Sequence, residues 1–411
     1  MKEFFNVTEL DKVLEYAADF APLGTEVIAL QAARGRILAE EITADADLPG
    51  FSRSTMDGYA VGARSSFGAS EANPAYLTVK GAIAMGETPD FSIGPGQVAR
   101  ISTGGMLPEG ADAVVMIEHT DIIDDTTIEV YRSVAPGQHI VERGEDFRKD
   151  TVILSPGKIL RSSEIGLLAA FGKPTVTVYR KPVVGIISSG DEVVGIDQTP
   201  GTGQIRDINS YTLTAMVEEA GGIPAAFGIV ADDYGALFST CEKALLSADM
   251  VVISGGSSVG TRDFTIEVLE NLENASILVH GISISPGKPT ILAKIGGKAF
   301  WGLPGHVVSA MVVFEVVVRP FISALSGIPR GDEKRPAIPA RISRNVASAQ
   351  GRADFIRVRL READGVLLAD PILGKSGLIN TMVKADGLVS IDRDTEGLDR
   401  GTPVSVIPLT R

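Results

Sequence analysis

The order of apolar and polar positions divides the 411-residue chain into stretches of different period. In residues 182–327 apolar runs alternate with helix-like ones. VVGIISS reads as a buried strand. NSYTLTAMVEEAGG reads as a helix with Leu213, Met216, Val217 and Ala220 on one face and glycine at its end. AAFGIV, residues 237–248, MVVIS and residues 264–272 continue the alternation. Repeated βα units predict a parallel sheet with helices on both faces. The most apolar run, HVVSAMVVFEVVVRPF (306–321), is broken by Glu315, Arg319 and Pro320. It is too short to span a membrane and is expected to be a buried helix.

Outside that block the period changes. Residues 8–22 have a helical period after Thr8, the expected N-cap. Residues 46–135 hold short β-like runs (YLTVKGAI, QVARIST, DAVVMIE, TIEVYRSV) separated by Gly, Pro and Asp. Residues 136–176 return to mixed turns and one helix, SSEIGLLAAFG. RGDEKRPAIPAR has linker composition, and residues 340–411 are again short β-like runs. The expected organisation is multidomain α/β plus β. It comprises a discontinuous N-terminal linker-type domain (1–45 and 140–176), a mostly β domain (46–139), a parallel α/β domain (177–327) and a C-terminal β domain (328–411).

Charge narrows the function. The net charge is 38 − 52 = −14, which disfavours nucleic-acid binding and suits a hard cation. One cysteine, Cys241, lies on the apolar stripe of an expected helix, so a core role fits it and an intramolecular disulfide is excluded. The N-terminus is charged from the start and shows no signal-peptide pattern, so a cytoplasmic protein is expected.

The polar residues of the α/β block fall at strand ends, where open α/β sheets bind ligands. Ser189, Gly190, Asp191 and Glu192 follow the first strand, Asp232 and Asp233 the second, and SGGSSVGTRD, ending at Asp263, the third. That last loop fits either an oxyanion-binding turn or a plain polar connection. Five carboxylates beside it would repel a phosphate unless Mg²⁺ bridged them; they also fit helix N-termini. Lys288, between two prolines, suits either an anion contact or an exposed turn. Pro304 and Gly305 precede the last long helix, with His306 as ligand or cap. The β stretch has dense polar turns of its own around Asp57, Thr103 and Asp146.

In chain order the motifs are DLPGFSRSTMDGYAV, RISTGGMLPEGADAVV, RGEDF, SSGDE, GQIRDINS, Asp232-Asp233, ISGGSSVGTRDFT, SPGKPT and GLPGHVVSAM. The chain resembles the molybdopterin molybdenumtransferases of the MoeA and gephyrin E-domain type over essentially its whole length. The resemblance implies insertion of molybdate into adenylylated molybdopterin with release of AMP, assisted by Mg²⁺. It also implies a homodimer whose cleft is completed by the β module of the other subunit, and a molybdopterin adenylyltransferase as partner. By position it implies catalytic roles for Asp57, Thr103, Asp146, Glu192 and Asp263. Ser189, Gly190, Ser254, Gly255, Gly256, Ser258, Lys288, Pro304 and Gly305 would bind the cofactor, with Ser254, Gly255, Gly256 and Ser258 as its pterin-phosphate loop. Asp191, Glu192, Asp232 and Asp263 would bind metal, and Arg352, Arg357, Ser376 and Thr381 would face the cleft. Three departures stand out: Ser285 and Gly281 where the family commonly has basic residues, His306-Val307 in place of Asn-Pro, and Gly105 in place of Ala. Tungstate as the oxyanion, a molybdopterin adenylyltransferase and a pterin-binding scaffold are the alternatives.

Overall fold

The structure, a computed structural model, describes residues 7–255, 264–329, 331 and 337–409. The chain forms two compact units: residues 1–39, 156–165 and 175–411 make one, residues 40–155 and 166–174 the other.

The first unit holds a six-stranded sheet in the spatial order 223–230, 183–189, 250–254, 298–303, 291–295, 275–280. The first four strands run parallel. The strand 291–295 runs against both of its neighbours, so the all-parallel sheet expected from the βα alternation is corrected to a mixed one. The cause is local. Gly296 and Gly297 both take positive φ (53° and 88°), which folds Ile291–Ile295 back on Lys298–Leu303 as a hairpin.

Alternation along the central strand sorts side chains to two cores. Met250 and Val252 pack with Leu213 and Val217 of the helix Asn209–Glu219 and with Val308, Val312 and Phe314. Val251 and Ile253 pack with Leu237 and Cys241 of the helix Tyr234–Ser247 and with Val268 and Leu269 of Phe264–Asn271. Helices therefore cover both faces, as expected. Burial pushes the Cys241 thiol up to about 12, so it stays protonated as a core residue.

The apolar run after His306 is helical from Val307 to Leu325, longer than expected and long enough to cross a bilayer by length and composition. It is instead the centre of the largest core, with Val308, Val312, Phe314 and Phe321 fully buried. Its middle turn, Phe314–Val318, is a π-helix, ending just before Pro320, which lacks the amide a regular turn would use.

Thr8 does not cap a helix. Its amide donates to the Gly281 carbonyl and its carbonyl accepts from the Ser283 amide, both at 2.9 Å, as a bridge to Ile282. The helix is only Leu10–Glu15, with Glu9 at the cap position and no side-chain cap.

Towards the C-terminus, strands 353–363, 366–371, 338–342, 403–408 and 387–391 pair in that order. The last pairs again with the first, which closes a five-stranded barrel. Closure removes the free edges an open β-sheet would expose. Ile342, Val358, Val389 and Val406 fill it.

The second unit contains a six-stranded sheet in the order 113–116, 58–61, 97–101, 75–83, 127–130, 120–122. Tyr59 and Val61 face one core of this unit and Ala60 faces another, the alternation expected of its short β-like runs.

Candidate active site

In the first unit a cleft of about 670 Å³ opens beyond the carboxyl ends of the parallel strands. Ser188 and Ser189 end the first strand and Ser254 the third, and all three line it. Glu192, Pro304, Gly305 and His306 line it as well.

The polar strand ends are wired together. The Ser189 hydroxyl donates to Asp232 Oδ1 at 2.7 Å, and the Asp232 amide donates to Asp191 Oδ1 at 3.0 Å. Two of the expected metal ligands therefore stand side by side. Asp233 does not join them. Its carboxylate accepts from the Ala236 amide at 2.9 Å and caps the helix Tyr234–Ser247, which reduces the expected five-carboxylate cluster. Asp263, Gly256 and Ser258 lie outside the described residues.

Backbone geometry explains Gly255. Its φ is +103°, and a Cβ there would sit 2.1 Å from the Ser189 carbonyl oxygen. Only glycine lets the third strand's loop pass this close to the first. A Gly255→Ala protein should lose at least about 1–2 kcal/mol from the left-handed conformation alone, with the steric overlap added. A lowered denaturation midpoint would show it, and an unchanged midpoint would refute the strain. Gly190, also at positive φ, donates its amide to Val230.

The sequence motif GQIRDINS contributes more than was assigned to it. Asp207, 6% exposed, accepts at Oδ1 from the Ser188 hydroxyl (3.2 Å) and the Ser210 amide (3.1 Å). Asn209 donates its amide to the Gly305 carbonyl at 2.9 Å, which ties this segment to the Pro304-Gly305 turn. Asp207, Asn209 and Arg206 all line the cleft. Asn209 Oδ1 and Ser254 Oγ are buried without a hydrogen-bond partner among the described residues. Such orphaned polar atoms point to a ligand.

His306 sits at the cap of the long helix, and its Nδ1 lies 3.0 Å from the Ser376 hydroxyl. Ser376 thus contacts a residue that lines the cleft, and its neighbour Gly377 lines it. The other three C-terminal polar residues expected there are engaged elsewhere. Arg352 pairs with Asp354 at 3.0 Å. Arg357 is buried, donates to the Gly374 carbonyl, and has its pKa lowered by burial. Thr381 is buried and donates to the Leu378 carbonyl. Lys288 is exposed, and its neighbour Pro289 lines the cleft in its place.

In the second unit, Asp57 Oδ1 accepts from the Thr103 amide (2.7 Å) and hydroxyl (3.0 Å). These bonds to the charged form hold the Asp57 carboxyl below its ordinary range. Asp146 is exposed, and its amide donates to the Leu48 carbonyl.

A two-sided α/β sheet with a polar cleft at its strand ends, in one chain with a closed β barrel and a mostly β unit, is a MoeA-type multidomain architecture. A crystal structure of a molybdopterin biosynthesis MoeA protein from Pyrococcus horikoshii matches it with a TM-score of 0.85 at 31% identity, over 98% of this chain and 100% of that one. Residues 8–172 match the MoeA N-terminal region (domain I and II), 185–324 a probable molybdopterin binding domain, and 339–409 the MoeA C-terminal region (domain IV). A molybdopterin molybdenumtransferase of Bacillus subtilis is 33% identical over 97% of this chain and 93% of its own. A putative molybdopterin biosynthesis protein of Methanocaldococcus jannaschii is 36% identical over 91% of this chain and 89% of its own. The chain belongs to the MoeA family.

Proposed function

We propose that this protein is a molybdopterin molybdenumtransferase, a transferase of molybdenum cofactor biosynthesis that inserts molybdate into adenylylated molybdopterin and releases AMP. The observation that carries the reading is the cleft itself. Within the stretch matched by the molybdopterin binding domain, it combines the Ser189–Asp232–Asp191 chain, the close glycine turn at Gly255 and polar atoms without a partner among the described residues. Whole-length relatives named molybdopterin molybdenumtransferase support the same reading.

Mg²⁺ fits the donor set. Mg²⁺ takes one or two carboxylates and completes its shell with water and substrate phosphate, and Asp191 and Asp232 lie next to each other here. Asp191 and Asp232, with Glu192 next to Asp191 in sequence, would hold it. Bound there, it would supply positive charge to the phosphate oxygens. The chain's own residues do the rest. Ser189 orients the Asp232 carboxylate, Gly255 lets ligand approach the backbone, and Asn209 fixes the Pro304-Gly305 turn. In this reading the protein is a cytoplasmic homodimer, takes its substrate from a molybdopterin adenylyltransferase, and uses Asp57 and Thr103 in catalysis.

The test is AMP release from adenylylated molybdopterin by purified protein with Mg²⁺ and either molybdate or tungstate. Release that depends on molybdate is the expected result. Release with tungstate alone would reassign the oxyanion, which the lack of a basic side chain at Ser285 and Gly281 makes worth measuring. Binding with no release under either oxyanion would sink the enzyme reading and leave a pterin-binding scaffold. ATP-dependent adenylylation of molybdopterin would make the chain an adenylyltransferase.

A further inference from the structure

We infer that Asp207, with Asn209, reads the hydrogen-bond donor edge of the pterin ring, the 2-amino-4-oxopyrimidine end of the substrate. The inference rests on the reading of the cleft as a pterin site and assigns the residues that would give it specificity.

Asp207 is a carboxylate at 6% exposure with no Lys or Arg within ion-pair distance among the described residues. Burying a charge in this way is costly unless donors surround it. Its donors here are the Ser188 hydroxyl and the Ser210 amide, and both go to Oδ1. No hydrogen bond from a described residue reaches Oδ2, and Asp207 lines the cleft. Asn209, 9% exposed, gives its amide N–H to Gly305, so its Oδ1 is a second acceptor without a partner. The neighbouring Arg206 also lines the cleft, and its Nε donates to the Ile196 and Gln198 carbonyls. The cleft that holds these acceptors is lined by apolar Val193, Ile205, Ile208, Val307 and Pro289 as well as by the polar Glu192 and His306.

A cleft with apolar walls in part and buried acceptors suits a flat heterocycle that presents adjacent donors. The pterin N3–H and 2-amino group form such a pair. Adenine does not match, since its amino group adjoins an acceptor nitrogen that would face a carboxylate. The site would thus orient the ring end of the substrate and leave its dithiolene and phosphate to the strand-end loops. Guanine shares the donor edge, so the discriminating feature is the 2-amino group rather than the whole bicycle.

The experiment compares 6-hydroxymethylpterin with 6-hydroxymethyllumazine, its 2-oxo counterpart, by fluorescence titration of the full-length protein and of Asp207→Asn. Asparagine keeps the volume and the Oδ1 that caps Ser210, so the fold should hold, and an unchanged melting temperature checks this. Wild type should prefer the pterin by about 10-fold or more, because a site built for a donor rejects a ligand lacking it. Asp207→Asn should erase that preference. A purely structural Asp207 would leave the preference intact, and that result, or no saturable pterin binding by wild type, would overturn the inference. The insertion assay is independent. Pterin preference without AMP release would leave the inference standing and defeat the enzyme reading; AMP release with no pterin preference would do the reverse.

Discussion

An Asp232→Asn protein is expected to melt like wild type and to release AMP about 100-fold more slowly, the scale of losing one group that stabilises developing charge. The substitution is chosen for what it keeps. Asparagine still offers an Oδ1 to the Ser189 hydroxyl, 2.7 Å away in the native protein, and its backbone amide still donates to Asp191. Only the charge goes. If Asp191 and Asp232 hold Mg²⁺ together, removing one charge should also raise the Mg²⁺ concentration needed for half-maximal rate. Asp233→Asn is the matched control. Asp233 caps a helix through one side-chain bond, and asparagine caps about as well as aspartate. Its rate should stay near wild type. Equal rates for the Asp232 variant and wild type would remove Asp232 from the site, and equal losses for the two variants would mean that general negative charge matters, not position.

The contrast between Asp232 and Asp233 shows what the sequence could carry. Apolar runs such as MVVIS and VVGIISS fixed the strands because burial on both faces leaves no room for polar positions. Their ends were therefore legible, and with them Ser189, Asp191 and Ser254. Two adjacent aspartates look alike in sequence, and only the chain path tells a cap from a ligand. The antiparallel hairpin was signalled by Gly296-Gly297, a dipeptide with hairpin meaning that the βα alternation around it obscured. Asp207 and Asn209 were hidden because DINS reads as an ordinary helix start; their role comes from Ser188 and Gly305, 19 and 96 positions away. Arg357 and Thr381 were expected to face the cleft as polar residues, yet both are buried in the C-terminal fold, where Arg357 Nη2 donates to the Gly374 carbonyl and the Thr381 hydroxyl to the Leu378 carbonyl. Long-range pairing of this kind is set by packing and leaves no trace in local pattern.

Arg319→Ala should cost about 3–5 kcal/mol of stability, the usual penalty for removing one partner of a buried ion pair. The Glu315 side chain is only 4% exposed and that of Arg319 14%, in the middle of the most apolar helix of the chain. Arg319 Nε donates to Glu315 Oε2 at 3.1 Å, and its Nη1 donates to the Glu219 carbonyl at 3.3 Å. Truncation would take that cation from a buried carboxylate on a helix whose neighbouring residues Phe314, Val317 and Val318 are fully buried. The desolvation cost of such a pair offsets its attraction, so replacing both members, Glu315→Leu with Arg319→Met, should recover most of the loss. Trp301, the single tryptophan, reports on this core directly, since its ring meets Phe321 edge-on at 4.8 Å. Urea denaturation followed by its fluorescence should place the midpoints in the order Arg319→Ala well below the double variant and wild type. A single variant as stable as wild type would show that the carboxylate tolerates burial without Arg319, and a double variant as weak as the single would show that packing, not charge, sets the cost.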